Sequence, residues 1–399
     1  MKKIITALLL FSIVGCSSTK EKPQNIEKQG ITDSEILIGT SSALSGDASY
    51  LGFNYNFGAM AYINEVNSNG GVCGRKIKLI SYDDAYEPIK AVSNTLELIN
   101  KDKVFLLFNY VGTSTLAAVI DLINEAKIPA IGFFTGAEIL RIPFSRYIFH
   151  VRSSYAKEAE NIINHIVDIR HLKNIACFYQ SDEFGISVLS AVQSELKKRN
   201  MELSATGVYK RNTVDVEEGF KFINSSKPEA IIMVGIYSPL AKFISLFNNE
   251  EYIPYFYSGS FIGSDPFAKE LIEKYNIRKE IKDKILVNQV IPCPYDPEEM
   301  ALVSEYTILI NKYFPEIKPN YVGFEGFINA KVLVHGLTKI GYNLSREIFI
   351  RTLESLKDYD IGFGGNITYS SEDHEGLSET YFSSLQGNVF EDCHNKEEK

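Results

Sequence analysis

Short β-branched and aromatic runs alternate with helix-length amphipathic segments over most of the chain, a rhythm that predicts βαβ units wound around parallel sheets. Positions 36–39 form an apolar strand-like run, a loop rich in Ser and Gly follows, and Phe53, Phe57, Met60 and Ala61 then share one helical face. The run 174–178 repeats the arrangement, with Asp182 in the loop and Ile186, Leu189, Val192 and Leu196 at helical spacing behind it. Further strands are predicted at 76–81, 104–108, 129–133, 147–151, 203–209, 230–235, 255–257 and 285–291. Pro292, Pro294 and Pro297 punctuate the chain before three helical segments at 298–313, 321–340 and 345–356, and a pair of short strands at 366–370 and 380–385 closes it. Around residues 150–152 one set of βα units passes into the next without a Pro- or Gly-rich linker, so strands must make the division between domains.

The first residues break the rhythm. Lys2 and Lys3 precede an uncharged run at 4–14, ended by Gly15 and Cys16. A membrane-spanning helix needs about 20 apolar residues, and this run stops short of that, in the form of an export signal. Ile13, Val14 and Gly15 before the cysteine fit a bacterial lipoprotein signal. The expectation is a signal peptide at 1–15, a lipid on Cys16, a polar tether at 16–30 and an extracytoplasmic, membrane-anchored protein.

With 399 residues, 45% of them hydrophobic, the chain is long enough for two cores. Acidic residues outnumber basic ones 50 to 41, which argues against a phosphate-binding surface and so against nucleic acid as a partner. Beyond Cys16 there are Cys73, Cys177, Cys293 and Cys393, which permit three complete pairings, none singled out by the sequence. Cys177 sits in an apolar run and reads as a small buried hydrophobe. No cysteine or histidine spacing suits a metal, so neither metal nor cofactor is expected.

In open α/β sheets, ligands sit beyond the carboxyl ends of the strands. The loops predicted there are rich in hydroxyls: Ser41, Ser42, Ser45 and Ser49, then Thr113, Ser114 and Thr115 after Gly112, then Thr135 before Gly136. Each could be no more than a helix cap, but three such loops facing one cleft suit a neutral site for a carboxylate. Tyr155, Phe184 and Tyr237 fall at the corresponding ends in the second half and would supply apolar walls. Asp83 and Asp84 end a strand and read as turn residues. The chain has no GxSxG, GxxxxGK[ST], HExxH or GxGxxG motif, and no enzyme activity is expected.

These residues resemble the substrate-binding proteins of branched-chain amino-acid type ABC transporters, the leucine/isoleucine/valine-binding proteins. The markers run from about residue 36 to 390: Leu44-Ser45-Gly46, the turn at 69–75, Tyr82-Asp83-Asp84, Gly112-Thr113-Ser114-Thr115, Phe134-Thr135-Gly136, Phe149 to Tyr155, Phe184-Gly185, Gly235 to Tyr237, Ser260 to Gly263, Gln289 to Pro292, Phe363-Gly364-Gly365 and Tyr369-Ser370. The resemblance implies a type I periplasmic binding protein fold, α/β, with two Rossmann-like lobes, parallel central sheets and three crossovers, near 150–152, 288–292 and 359–363. The first lobe would take 31–149 and 293–358, the second 150–292 and 359–390, with a tail at 391–399. A monomer would close by hinge motion on a small solute and present it to an ABC permease. The alternatives are a ligand-sensing protein serving a separate receptor and, further off, a surface α/β hydrolase.

Carried over position by position, the hydroxyl that helps hold the ligand carboxylate falls on Thr135. The serine of the preceding loop falls on Gly112, leaving Thr113 or backbone N–H groups for that role, with Ser114, Phe134 and Gly136 alongside and Ser45 and Leu51 on the first loop and helix. The aromatics of the second lobe fall on Phe184 and Tyr237, with Tyr155 nearby. The acid that pairs with the ligand's ammonium falls on Ser260. A buried ammonium without a carboxylate is costly, so the amino-acid ligand does not carry over. An amino acid, amide, carboxylate or aromatic acid stays open, and Glu158 restores the acid only if the helix after Tyr155 presents it.

Overall fold

The computed structural model describes residues 29–298 and 300–392. The signal peptide, Cys16, most of the expected tether, and Cys393 with the rest of the tail beyond residue 392 lie outside the described residues. Two sheets organise the remainder. The first contains β1 (Glu35–Ser42), β2 (Lys76–Asp83), β3 (Leu106–Phe108), β4 (Ala130–Ile131) and β5 (Ile148–Phe149) in the order β2-β1-β3-β4-β5. All its pairings are parallel, with Ile38 opposite Leu106, Leu107 opposite Ala130 and Ala130 opposite Ile148. Helices cover both faces, which is why Ile36, Ile38, Leu106, Leu107 and Phe108 are all buried.

The second sheet contains β6 (Ile175–Gln180), β7 (Ala205–Tyr209), β8 (Ala230–Val234), β9 (Tyr255–Gly259) and β10 (Ile285–Gln289), joined by β13 (Tyr381–Gln386) and β14 (Val389–Asp392). Its order is β14-β13-β10-β9-β8-β6-β7. The core of five strands is parallel, and β13 and β14 extend it antiparallel, Leu286 facing Ser384 and Leu385 facing Phe390. β14 is absent from the sequence reading.

The two closing strands expected at 366–370 and 380–385 lie in different sheets. β12 (Asn366–Ile367) forms a small antiparallel pair with β11 (Tyr359–Asp360), while β13 joins β10. The β11–β12 pair stays on the first lobe's helices, Tyr359 stacking on His335 with ring centroids 3.9 Å apart. Further along, the His374 carbonyl accepts from the His150 backbone N–H at 3.0 Å and the Leu377 N–H donates to Val151 at 2.8 Å, tying this segment to the crossing near 150–152. Periodicity cannot separate these choices, because two-residue strands carry no pattern.

Helix Tyr321–Ile340 is apolar nearly all round and lies buried against helix Ser49–Ser68. Glycines let the backbones meet: a Cβ on Gly58 would stand 1.7 Å from the Gly323 carbonyl oxygen, and one on Gly326 would stand 2.0 Å from that of Tyr55. This contact fixes Tyr55 and Glu325 side by side under the seam between the sheets. Asp83 and Asp84 pin the loop between them. Asp83 accepts from the backbone of Leu44, Ser45 and Ala85, and Asp84 from the Ser41 hydroxyl and the Tyr86 N–H. Among the described residues no helix is long and apolar enough to cross a membrane, and no group of three or more His, Cys, Asp or Glu is placed to hold a metal. Cys73 and Cys177 are free thiols, Cys177 fully buried.

Candidate functional site

The carboxyl ends of both sheets face each other across a seam, and side chains of both meet there. From the first sheet come Tyr55, Tyr86, Thr113, Phe134 and Thr135; from the second come Phe184, Ser260 and Phe261; Arg152 and Tyr155 lie on the crossing between them. The Thr113 and Thr135 hydroxyls are 2.7 Å apart and buried, and Gly136 lies against the backbone of Tyr155. Gly112, at φ +106°, ends β3's loop and starts the short helix Thr113–Ala117. The rings form a continuous wall. Tyr55 stands 4.8 Å from Phe134, Phe134 5.1 Å from Phe261, Phe261 4.6 Å from Phe184 and Phe184 5.4 Å from Tyr155.

A charged cluster sits at the base of this wall. Arg152 is 1% exposed, its guanidinium 4.6 Å over the Phe134 ring. It lies 3.8 Å from Glu158 and 3.5 Å from Glu325 and donates to the Ser260 hydroxyl. Glu158 in turn accepts from the Ser260 backbone N–H at 2.8 Å and from its hydroxyl at 3.0 Å. The helix Tyr155–Ile163, capped by the Ser154 hydroxyl, presents Glu158 there, so a carboxylate stands beside the position where the resemblance puts the ligand's acid. Burial pushes the Glu158 carboxyl up while Arg152 holds it down, and burial raises Glu325 to about 7 against the same restraint. Two buried carboxyls share one guanidinium, which leaves the cluster short of positive charge. The Tyr155 hydroxyl faces the Thr135 and Thr113 hydroxyls, the Arg152 Nε faces Glu325, and the Arg152 Nη1 is buried without a hydrogen-bond partner.

The remaining expected residues lie further out. Ser114 donates to Asp182 at 3.0 Å, and Asp182 also caps the helix Glu183–Lys198. Tyr237 is at the rim, donating to the Asp47 carbonyl and packing edge-on to Tyr50 at 6.1 Å. Leu51 is buried beside Gly263. Ser45 stands apart, exposed, its hydroxyl spent on Asp83. Across the seam Glu87 accepts from Asn212 at 2.7 Å and from Arg211 at 3.4 Å, and Gln180 donates to the Tyr86 hydroxyl at 3.3 Å.

Sequence reasoning did not single out Arg152, Glu325, Phe261 or Glu87 as site residues. A charge inside an otherwise apolar run was the available signal for the first two: Arg152 follows 147–151, and Glu325 sits in the apolar face of Tyr321–Ile340. Phe261 carried no signal, because only the tertiary turn aims it into the seam.

Comparison with known proteins agrees with this architecture. The family model described as periplasmic binding protein matches residues 35–388. An amino acid binding protein of Pseudomonas aeruginosa is 25% identical over 199 residues, covering 49% of this chain, and the match spans 50% of that relative's own length. A Leu/Ile/Val-binding protein homolog 7 of Brucella abortus is 21% identical over 325 residues, 77% of each chain. The crystal structure of a possible leucine/isoleucine/valine-binding protein from Rhodopirellula baltica superposes with a TM-score of 0.82 at 28% identity, covering 93% of this chain and 98% of that one. The two facing sheets, the crossings between them and the match over residues 35–388 make this chain a member of the periplasmic binding protein family.

Proposed function

We propose that this chain is an extracytoplasmic solute-binding protein that encloses a small amino acid or organic acid between its two lobes and hands it to an ABC permease, held at the membrane by a lipid on Cys16. The lobes would be built on the two sheets, with 31–149 and 293–358 in the first and 150–292 and 359–390 in the second. The observation that carries the reading is the seam itself. The buried Arg152 Nη1 without a partner, the Tyr155 hydroxyl beside the Thr113–Thr135 hydroxyl pair, and Glu158 are enclosed by rings from both lobes. Hydroxyl donors suit a carboxylate, and the shortage of positive charge around Glu158 and Glu325 suits an ammonium or a neutral group beside them.

A solute that binds the folded state alone raises the melting temperature by mass action. A thermal-shift screen of amino acids, amides and aromatic acids is expected to yield a stabilising solute that also makes the protein more compact by X-ray scattering. Thr135→Ala and Tyr155→Phe should each weaken that shift. A stabilising solute whose effect survives both substitutions would overturn the assignment of the site.

A further inference from the structure

Phe261 does not pack as an ordinary core residue of its own lobe. It belongs to the turn Ser260–Ile262 after β9, and Gly263 allows that turn to lean on the first lobe. Gly263 adopts φ +77°, and a Cβ there would stand 3.0 Å from Leu51 and 3.1 Å from Tyr237. The Phe261 ring, 1% exposed, is thereby inserted between rings of both lobes: Phe184 of its own at 4.6 Å, and Phe134 and Tyr86 of the other at 5.1 and 6.2 Å. Little space is left beside it. The cavity behind the ring, lined by Tyr155, Glu158, Phe184, Val192, Ile232 and Val234 among others, has a water-accessible volume of about 20 Å³, room for a single water. Tyr155, Glu158 and Ser258 supply its polar lining.

We propose that Phe261 is the specificity-determining residue of the interlobe site: its ring stands where the apolar group of a solute would lie, and a solute binds by displacing it. This rests on the reading of the seam as the binding site and narrows it to small acids carrying a flat or compact apolar group of about benzyl size. Such a group regains the ring contacts on Phe134 and Phe184 that displacement costs. A purely polar acid regains none, and a much larger group overruns the walls.

The test compares the wild type with Phe261→Ala and Phe261→Leu, using phenylacetate, L-phenylalanine and acetate as probes in calorimetric titrations. Without solute, Phe261→Ala is expected to be less compact by X-ray scattering, because a ring bridging the lobes is gone, and Phe261→Leu intermediate. Phe261→Ala should bind phenylacetate or L-phenylalanine at least tenfold more tightly than the wild type, with acetate unchanged, and the bound variant should regain the compact form. Equal compactness of the three unliganded proteins, or apolar probes binding Phe261→Ala no better than wild type, would overturn the role of Phe261. If no probe binds any variant, the acid-binding reading fails for these solutes, while the unliganded scattering still decides whether Phe261 holds the lobes together. Phe261→Leu keeps the comparison open should the alanine variant misfold.

Discussion

Replacing Arg152 with methionine tests the charged cluster directly. The side chain is 1% exposed, and its guanidinium is the cation 3.5 Å from Glu325 and 3.8 Å from Glu158. Methionine keeps an apolar stem of similar reach but leaves both carboxyls buried without that partner and the Ser260 hydroxyl without its donor. Removing one side of a buried ion pair costs about 3–5 kcal/mol. For a cooperatively unfolding unit of about 200 residues, at about 2.1 cal/mol/K per residue, that is a loss of about 7–12 °C in Tm. The loss depends on pH, and its sign follows from the carboxyls. In the wild type Glu325 already titrates at about 7, raised by burial and held down by Arg152. Without Arg152 both carboxyls titrate higher still; Glu325 is then neutral near pH 5, while raising the pH toward 8 forces on it a charge that nothing compensates. The deficit relative to wild type should therefore be largest at pH 8 and shrink toward pH 5 in calorimetric melts. Adding Glu325→Gln should recover part of it at pH 8, since the pair is coupled. A deficit equal at the two pH values, or one below about 1 kcal/mol, would refute the claim that Arg152 compensates these two acids.

Three further expectations follow from single side chains. Glu325 has a folded pKa of about 7, above its unfolded value, so the stability it contributes is fully present below the usual carboxylate range and is lost as pH rises to about 7. Glu325→Gln should flatten the stability profile between pH 5 and 7, by up to about 3 kcal/mol in denaturant titrations. Gly263→Ala forces a Cβ at φ +77° against Leu51 and should cost more than about 1 kcal/mol while weakening any solute-induced thermal shift. Burial pushes the Cys177 thiol up to about 12, so it should react with a thiol reagent later than the half-buried Cys73, as followed by mass spectrometry.

The long elements are legible in the sequence. Helix Tyr321–Ile340 was bounded to the residue, and each parallel strand from β1 to β10 coincides with a predicted run, because burial on both faces leaves an apolar segment with turn residues at its ends. The short strands were not. β11 and β12 are two residues each, too brief for any period, so β11 and its pairing with β12 carry no sequence signal. At the site, Thr113, Thr135, Tyr155 and Phe184 were legible because hydroxyls and aromatics at strand ends are recognisable in order along the chain. Glu158 was named only as a conditional substitute, and helix phase decided that it reaches Ser260.

The sequence by itself determined the alternation of strand and helix, two cores, the acidic balance and the loops that carry hydroxyls, since all of these are local in the chain. Only the tertiary structure decided which side chains share the seam. Arg152, Glu158 and Ser260 are up to 108 residues apart, and Tyr55 and Glu325 are separated by 270. Their meeting depends on the glycine-mediated contact of two helices and on a turn that Gly263 tips across the cleft. The absence of an acid at position 260 was visible in the sequence. That a neighbouring helix returns one, and that the next residue fills the cleft with a ring, follows from packing in three dimensions.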